Sequence, residues 1–84
     1  MKYKQNTIYI IKYQDIDSNY IIKCEEDSEK GIKGIRFKTD NYEWGHTTCF
    51  SFVECREATT EEIAWYYSEP KVPFAEFKCY YEIY

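Results

Sequence analysis

The sequence predicts a mainly β (α+β) domain, a small antiparallel open barrel or bent sheet with element order β-β-β-β-α-β. Short segments rich in β-branched and aromatic residues alternate with polar turn segments, which is typical of antiparallel strands. A helix-capping signal predicts one short helix at 60–67. Because 84 residues leave no room for a second core, we expect a single domain, residues 1–84.

The first two strands are predicted at 7–13 and 20–24. The first has the sequence TIYIIKY, whose β-branched and aromatic side chains suit a half-buried sheet surface. Asp, Ser and Asn residues between the two segments satisfy backbone groups locally and so favour a turn. Strand side chains alternate in direction, so one face of the second strand carries Tyr20, Ile22 and Cys24.

The third and fourth strands are predicted at 32–39 and 47–55, separated by a loop at 40–46. The fourth strand has apolar side chains on both faces, which indicates that both faces of the sheet are covered, as in a curled sheet with a helix against it. Alternation in the third strand groups Ile35 with Phe37 on one face, and Arg36 with Lys38 on the other.

The helix at 60–67 is predicted from its first turn. Thr59 can accept a hydrogen bond from the backbone N–H of Glu62, and the Glu62 carboxylate can accept one from the N–H of Thr59. Acidic residues in the first turn also suit the positive end of the helix dipole. The apolar stripe expected to face the sheet consists of Ile63, Tyr66 and Tyr67.

A last strand is predicted at 75–84, after two prolines that end the helix and shape an extended connector. Its alternation divides the side chains into two rows. The inward row is Phe77, Cys79, Tyr81 and Ile83, and the outward row is Lys78, Tyr80, Glu82 and Tyr84.

The segment CREATTEEI at 55–63, together with KVPF at 71–74, resembles small phage and prophage accessory proteins. In those proteins an SH3-like β-domain is often followed by a helix start of the form R-x-A-T-x-E-E-I. The resemblance covers residues 52–74, and Thr60 stands where the family usually has Pro. It implies an SH3-like fold and a phage- or mobile-element-encoded protein that acts inside a bacterium.

Composition limits the classes of partner. Aromatic residues make up 20% of the chain, and the formal net charge is −4. Residues 1–40 carry a net charge of +1, and residues 41–84 a net charge of −5. This acidic balance argues against a dedicated phosphate-binding surface, which concentrates cations on one face. We expect a solvated strand face from the one local basic stretch, whose residues are Lys30, Lys33, Arg36 and Lys38.

We expect no enzyme, no metal and no cofactor. Four cysteines occur without a CxxC pair, and the single histidine, His46, lies three residues before Cys49. Structural zinc sites usually present ligands in close pairs. Residues three apart on a strand point to opposite faces, so the two side chains form a nucleophile–base pair only if His46 stays in the loop. A secretory signal and a transmembrane segment are both lacking, which predicts the cytoplasm of a bacterial host.

The predicted partner-binding residues form two groups. The first lies in the loop at 40–46, where Trp44 either covers the end of the barrel as a core lid or anchors a protein partner. The second is part of the outward row of the last strand, with the helix tyrosines beside it. The residues of the two groups are Tyr42, Glu43, Trp44 and His46, and Tyr80, Glu82 and Tyr84.

The sequence therefore predicts a non-catalytic accessory protein that binds and inhibits or modulates a host or phage protein. Anti-defence proteins fit this size and acidity, for example inhibitors of CRISPR nucleases or of other nucleic-acid-processing complexes. The alternative is a small-barrel nucleic-acid or nucleotide binder that uses Tyr and Trp as stacking platforms. A homodimer joined along an exposed edge strand is compatible with both.

Overall fold

The structure, a computed structural model, describes residues 2–14, 19–38 and 44–68. These residues form one antiparallel sheet of five strands and one short helix, which confirms the mainly β class. The elements are β1 (Ile8–Lys12), β2 (Tyr20–Lys23), β3 (Ile32–Lys38), β4 (Trp44–Cys49), β5 (Glu54–Glu57) and α1 (Thr60–Tyr67).

The strands lie in the order β4-β3-β2-β1-β5, and every neighbouring pair is antiparallel. The first four strands form a meander, and β5 adds to the free side of β1. Within the described ranges the sheet is open, with β4 and β5 as its edges. The element order there is β-β-β-β-β-α, and the strand predicted at 75–84 lies outside the described residues.

The single strand predicted at 47–55 is wrong, because this segment contributes to two strands on opposite edges of the sheet. β4 pairs with β3 and ends at Cys49, whereas β5 pairs with β1 and begins at Glu54. Between them Ser51 has a φ of 59°, a left-handed conformation that interrupts an extended strand. Phe50 and Phe52 alternate with polar residues as a strand would, so the sequence pattern did not reveal the break.

The connection between β4 and β5 shows that the sheet is bent. Cys49 and Glu54 are five residues apart, so their Cα atoms are separated by at most about 18 Å. A flat sheet would place the two edge strands about 19 Å apart, and the two residues also lie at opposite ends of their strands. The connection can therefore span the sheet only if the edges curl toward each other. This agrees with the predicted bent sheet.

One apolar cluster fills the concave side of the sheet. The ring of Tyr3 packs edge-on against Tyr9 at 5.7 Å and against Phe52 of the β4–β5 connection at 5.8 Å. The N-terminal segment and that connection thus cover this face together. The buried members of this inner cluster are Tyr3, Tyr9, Ile11, Tyr20, Ile22, Cys24, Ile32 and Cys49.

A second cluster lies under helix α1 on the other face. Phe37 of β3 packs edge-on against Trp65 at 6.3 Å and against Tyr66 at 5.2 Å. Trp65 is only 1% exposed and is the largest fully buried side chain of the described residues. The buried members of this helix-side cluster are Ile8, Ile10, Ile21, Trp65 and Tyr66.

The predicted capping box is present and is tied to the sheet. The Glu62 carboxylate accepts a hydrogen bond from the N–H of Thr59 at 2.8 Å, and Thr59 Oγ1 accepts one from the N–H of Glu62 at 3.2 Å. Both carboxylate oxygens also accept hydrogen bonds from Arg56 of β5, at 2.7 and 2.9 Å. A bidentate pair of this kind fixes direction as well as distance. It therefore sets how the helix begins relative to the sheet.

The predicted helix stripe of Ile63, Tyr66 and Tyr67 is wrong in two of its three members. The buried side chains are Glu62, Trp65 and Tyr66, whereas Ile63 and Tyr67 are exposed. The buried face of the helix is therefore shifted by one residue from the predicted stripe. The hydrogen bonds between Arg56 and Glu62 explain the shift, because they hold the Glu62 side chain against the sheet. Across the described part of the chain, no helix has the length and apolar character needed to span a membrane.

Gly34 permits a close approach between β2 and β3. A Cβ atom at this position would overlap the backbone carbonyl oxygen of Lys23. The backbone itself would have to move, since the obstructing atom is not a flexible side chain. Gly45 on β4 differs, because no atom of the described residues, apart from its own chain neighbours, lies within 4 Å of its ideal Cβ position.

We expect Gly34→Ala to lower the free energy of unfolding by about 1–3 kcal/mol, the usual cost of forcing an extra carbon into a packed site. Gly45→Ala is the matched control and should change it by less than about 0.5 kcal/mol. Urea unfolding followed by circular dichroism measures both. Equal losses in the two variants would contradict the close approach at Gly34.

We expect Glu62→Gln to destabilise the protein by about 1–3 kcal/mol at neutral pH, because charge-assisted hydrogen bonds to Arg56 and Thr59 are lost. Burial acts to raise the pKa of Glu62, but these hydrogen bonds and the Arg56 charge outweigh it, so the pKa is lowered. The carboxylate therefore stabilises the fold above its unfolded pKa of about 4.5 and stops doing so as the pH falls through the lower folded pKa.

The stability difference between wild type and Glu62→Gln should accordingly shrink below about pH 4.5. The control is Glu57→Gln, at an exposed position of β5 next to Arg56. It should cost at most about 0.5 kcal/mol. Urea titrations at several pH values distinguish the two, and a pH-independent difference would refute this role of Glu62.

Candidate functional site

Of the seven predicted partner-binding residues, the structure describes Trp44 and His46. Both belong to strand β4 and not to a loop, so the predicted start of this strand at residue 47 is wrong. Pairing with β3 continues from Ile32 opposite Cys49 to Phe37 opposite Trp44, and Gly45 does not interrupt it. The other five lie outside the described residues: Tyr42, Glu43, Tyr80, Glu82 and Tyr84.

Trp44 is exposed. Its side chain belongs to the helix-side face of β4, and 68% of the residue is accessible to solvent. The core-lid interpretation of Trp44 is therefore wrong. The tryptophan in the core is instead Trp65, which packs against Phe37. Phe37 is the residue of β3 that lies directly opposite Trp44 of β4.

Trp44 belongs to a larger exposed area that we call the Trp44 surface, defined by Ile35, Trp44, His46 and Tyr67. Ile35 lies opposite His46 on the β3–β4 pair, two residues from Phe37 and on the same face. Ile35 is 39% exposed and Tyr67, at the end of α1, is 59% exposed. Scattered exposed apolar residues are normal, but two exposed rings and an isoleucine on the helix side of the sheet resemble the anchors of protein interfaces.

Tyr66 is buried next to this surface and contacts two of its residues, Ile35 and Tyr67. Its hydroxyl donates a hydrogen bond to the backbone oxygen of Ile35 at 2.8 Å, and its ring packs edge-on against Tyr67 at 5.2 Å. Burial raises the pKa of Tyr66 to about 12, so the hydroxyl remains a neutral donor. The helix end and β3 are thereby joined directly beside the exposed residues.

Charged groups border the Trp44 surface. His46 Nε2 lies 2.8 and 2.9 Å from the two carboxylate oxygens of Glu25, which joins the edge strand to the β2–β3 connection. Both side chains are about half exposed, so this contact contributes about 0–1 kcal/mol to stability. The Lys23 ammonium lies 5.5 Å from the centre of the Tyr67 ring.

His46 and Cys49 do not form a nucleophile–base pair. Both residues belong to β4, where His46 is on the helix-side face and Cys49 is in the inner cluster on the other face. Burial raises the pKa of the Cys24 thiol, which keeps that group protonated. Within residues 2–14, 19–38 and 44–68, no group of three or more His, Cys, Asp or Glu side chains is placed to hold a metal ion.

Ile35 was not among the predicted site residues, and Tyr67 was considered only as one of the helix tyrosines beside the last strand. Ile35 was grouped with Phe37 on one face of β3, and Tyr67 was placed in the helix stripe expected to face the sheet. Their exposure follows from the position of α1, which ends over Phe37 and leaves the outer part of the β3–β4 pair uncovered. Sequence periodicity gives the face of a residue but not how far a packed helix extends across it.

Comparison with known proteins gives no relatives: no protein-family model, curated protein or solved structure matches this chain. The resemblance of residues 52–74 to phage accessory proteins therefore stays a prediction. The candidate site is defined by geometry alone.

We expect the two tryptophans to respond oppositely to truncation. Trp65→Ala should lower the free energy of unfolding by about 3–5 kcal/mol, since it empties a filled core position. Trp44→Ala should change it by less than about 1 kcal/mol, because most of that ring is already in water. Chemical unfolding measures both, and acrylamide quenching of wild-type and Trp44→Phe protein provides an independent check. Strong destabilisation by Trp44→Ala would show that this ring is part of the core.

Proposed function

We propose that this protein is a small non-catalytic binding module that docks on another protein through the Trp44 surface. The observation that carries the proposal is the exposure of Trp44, a large ring held outward on a paired strand. Tryptophan and tyrosine are enriched among residues that dominate interface energetics. Placement on a strand limits the loss of conformational freedom on binding.

The described surroundings of the site add a polar rim to this apolar centre. Lys23, Glu25 and His46 border Ile35 and the two exposed rings, and interfaces commonly combine a desolvated centre with such a rim. Oppositely charged groups on the rim favour a partner of mixed charge. This differs from the simple acidic surface that the net charge alone suggests.

The biological role follows from the resemblance of residues 52–74 and is part of the proposal. Proteins of that group are encoded by phages and prophages, so the expected partner is a bacterial or phage protein that the module inhibits or modulates. Anti-defence activity, for example against a CRISPR nuclease, is the specific form we favour. The same resemblance extends the observed bent sheet to an SH3-like barrel.

The test is affinity capture from bacterial lysate with wild-type protein and two variants. Trp44→Ala and Tyr67→Ala should each reduce recovery of a specific partner by about tenfold or more, since hot-spot truncations cost about 2 kcal/mol. Recovery should be confirmed with the purified partner by isothermal titration calorimetry. Light scattering on the free protein first establishes whether it is a monomer or a homodimer.

Lys33→Ala is the matched control, since Lys33 is an exposed residue of β3 outside the Trp44 surface. It should leave recovery unchanged, and unfolding experiments should show that all variants remain folded. A partner that binds Trp44→Ala and wild-type protein equally well would place the interface elsewhere and refute the proposal.

A further inference from the structure

The side chain of Glu25 reaches across strand β3 to His46, a member of the Trp44 surface. Glu25 follows β2, and its backbone N–H donates a hydrogen bond to the carbonyl oxygen of Lys33 on β3 at 2.9 Å. His46 is on the other side of β3, directly opposite Ile35. The contact between Glu25 and His46 therefore lies over β3, and it joins two residues that are 21 positions apart in the chain.

The geometry of this contact determines which imidazole nitrogen carries a hydrogen. Nε2 of His46 lies 2.8 Å from one carboxylate oxygen of Glu25 and 2.9 Å from the other. An ionised carboxylate only accepts hydrogen bonds, so Nε2 is the donor. A neutral imidazole has a single ring N–H. Neutral His46 is therefore the Nε2–H tautomer, and its Nδ1 atom carries a lone pair that can accept a hydrogen bond.

The imidazole lies where a docked protein would contact it. The side chain of His46 is 50% exposed, and Trp44 is two residues away on the same face of β4. Within the part of the chain that the structure describes, the hydrogen bonds of the imidazole are those from Nε2 to Glu25. Glu25 thus occupies one ring nitrogen and leaves the other to a partner.

An acceptor at this position is surrounded by apolar groups of the same surface. Ile35 lies directly opposite His46, and the ring of Trp44 is 68% exposed on the same face. A protein that docks here removes water from all three side chains. A polar atom that loses its water and gains no partner is unfavourable, so the docked protein has to supply a donor to Nδ1.

We propose that Glu25 is a positioning residue that holds His46 in the Nε2–H form, and that Nδ1 accepts a hydrogen bond from the protein docked on the Trp44 surface. This role rests on the proposed function, and it specifies the chemistry of the partner. The partner presents an N–H or O–H donor beside the apolar group that covers Trp44. A partner with a carbonyl or carboxylate oxygen at this point is rejected, because two acceptors then face each other.

The same arrangement makes docking sensitive to pH. Histidine changes its charge between about pH 5 and pH 8, and the imidazolium ion donates from both nitrogens. Nδ1 then no longer accepts, so docking should weaken in acid. Carboxylates, ammonium groups and phenols ordinarily titrate outside this range. The charged and titratable groups around His46 on this face are Lys23, Glu25, Lys33, Tyr66 and Tyr67.

The tautomer is tested on the free full-length protein by proton–nitrogen NMR correlation of the imidazole at about pH 8. Wild-type protein should show a protonated Nε2 and an unprotonated Nδ1. Glu25→Ala should show a mixture of both tautomers, because the acceptor that selects one of them is removed. An Nδ1–H tautomer in the wild type overturns the proposal. An Nδ1 atom that already accepts a hydrogen bond in the free protein also overturns it, since the acceptor is then not available to a partner.

The role in docking is tested by calorimetry at about pH 8 and about pH 5.5, with the partner purified after capture. Wild-type binding should weaken by about tenfold at the lower pH, and His46→Phe should lose about tenfold at the higher pH because it keeps an aromatic ring without an acceptor. In His46→Asn the amide oxygen is bonded to Cγ, as Nδ1 is in histidine, and it does not titrate. This variant should bind within about twofold of wild type at the higher pH and should keep its affinity in acid.

Glu25→Ala should weaken binding at the higher pH by a smaller factor than His46→Phe, because part of its molecules still present the acceptor. The control Lys33→Ala, which also removes a side chain that borders this face, should bind within about twofold of wild type at both pH values. Unfolding experiments on each variant establish that the fold is retained.

The outcomes distinguish this role from the proposed function. If Trp44→Ala binds as well as wild type, the interface is elsewhere and both are refuted. If Trp44→Ala weakens binding but His46→Phe does not, docking on the Trp44 surface stands and the role of His46 is refuted. Equal losses in acid for wild type and His46→Asn would assign the pH dependence to the partner and would also refute the role of His46.

Discussion

The architecture depends on one constraint: strands β1 and β2 are apolar on both faces. Isoleucines fill most of these two strands and are buried on either side. A two-layer arrangement would leave one face in water, so each face requires its own cover. Helix α1 covers one face, whereas Tyr3 and the β4–β5 connection with Phe52 cover the other. The buried rings of the described residues each belong to one of these two clusters.

The buried carboxylate of Glu62 determines which helix residues take part in this cover. Its bidentate contact with Arg56 turns Trp65 and Tyr66 toward the sheet and leaves Tyr67 outside. Tyr66 then reaches the backbone of Ile35, beyond which the sheet is uncovered. The exposure of the Trp44 surface is thus a consequence of how the helix starts, about two turns away. The polar contact between Glu62 and Arg56 thus determines where the Trp44 surface is left uncovered.

Local patterns were sufficient for much of the fold. The β-rich class, the first three strands, the capping box and the pairing of Ile35 with Phe37 on one face followed from alternation and cap chemistry. The division of residues 47–55 into two strands did not, because Phe50 and Phe52 keep the alternation through the turn at Ser51. The helix stripe was misassigned because periodicity ranks apolar residues inward, and Glu62 is buried only through its partner on β5.

The candidate site and the position of the basic stretch were less accessible to sequence reasoning. Trp44 and His46 were identified by residue type, but only the pairing of β3 with β4 showed that they are outward on a strand. Arg36 and Lys38 were recognised as a basic stretch and were expected to be a solvated strand face. The stack of Arg36 on Tyr20 depends on the register between β2 and β3, which no local pattern specifies.

The close approach at Gly34 has a consequence for how this protein diverges over evolutionary time. Any side chain at position 34 pushes on backbone, so descendants of this sequence should retain glycine there while position 45 drifts. We also expect homologues to keep the spacing of Arg56, Thr59 and Glu62. Each of these residues stabilises the fold only when its hydrogen-bond partners are present. Remote homologues are then recognisable by a glycine in the third strand followed by that triplet, even where overall identity has decayed below detection.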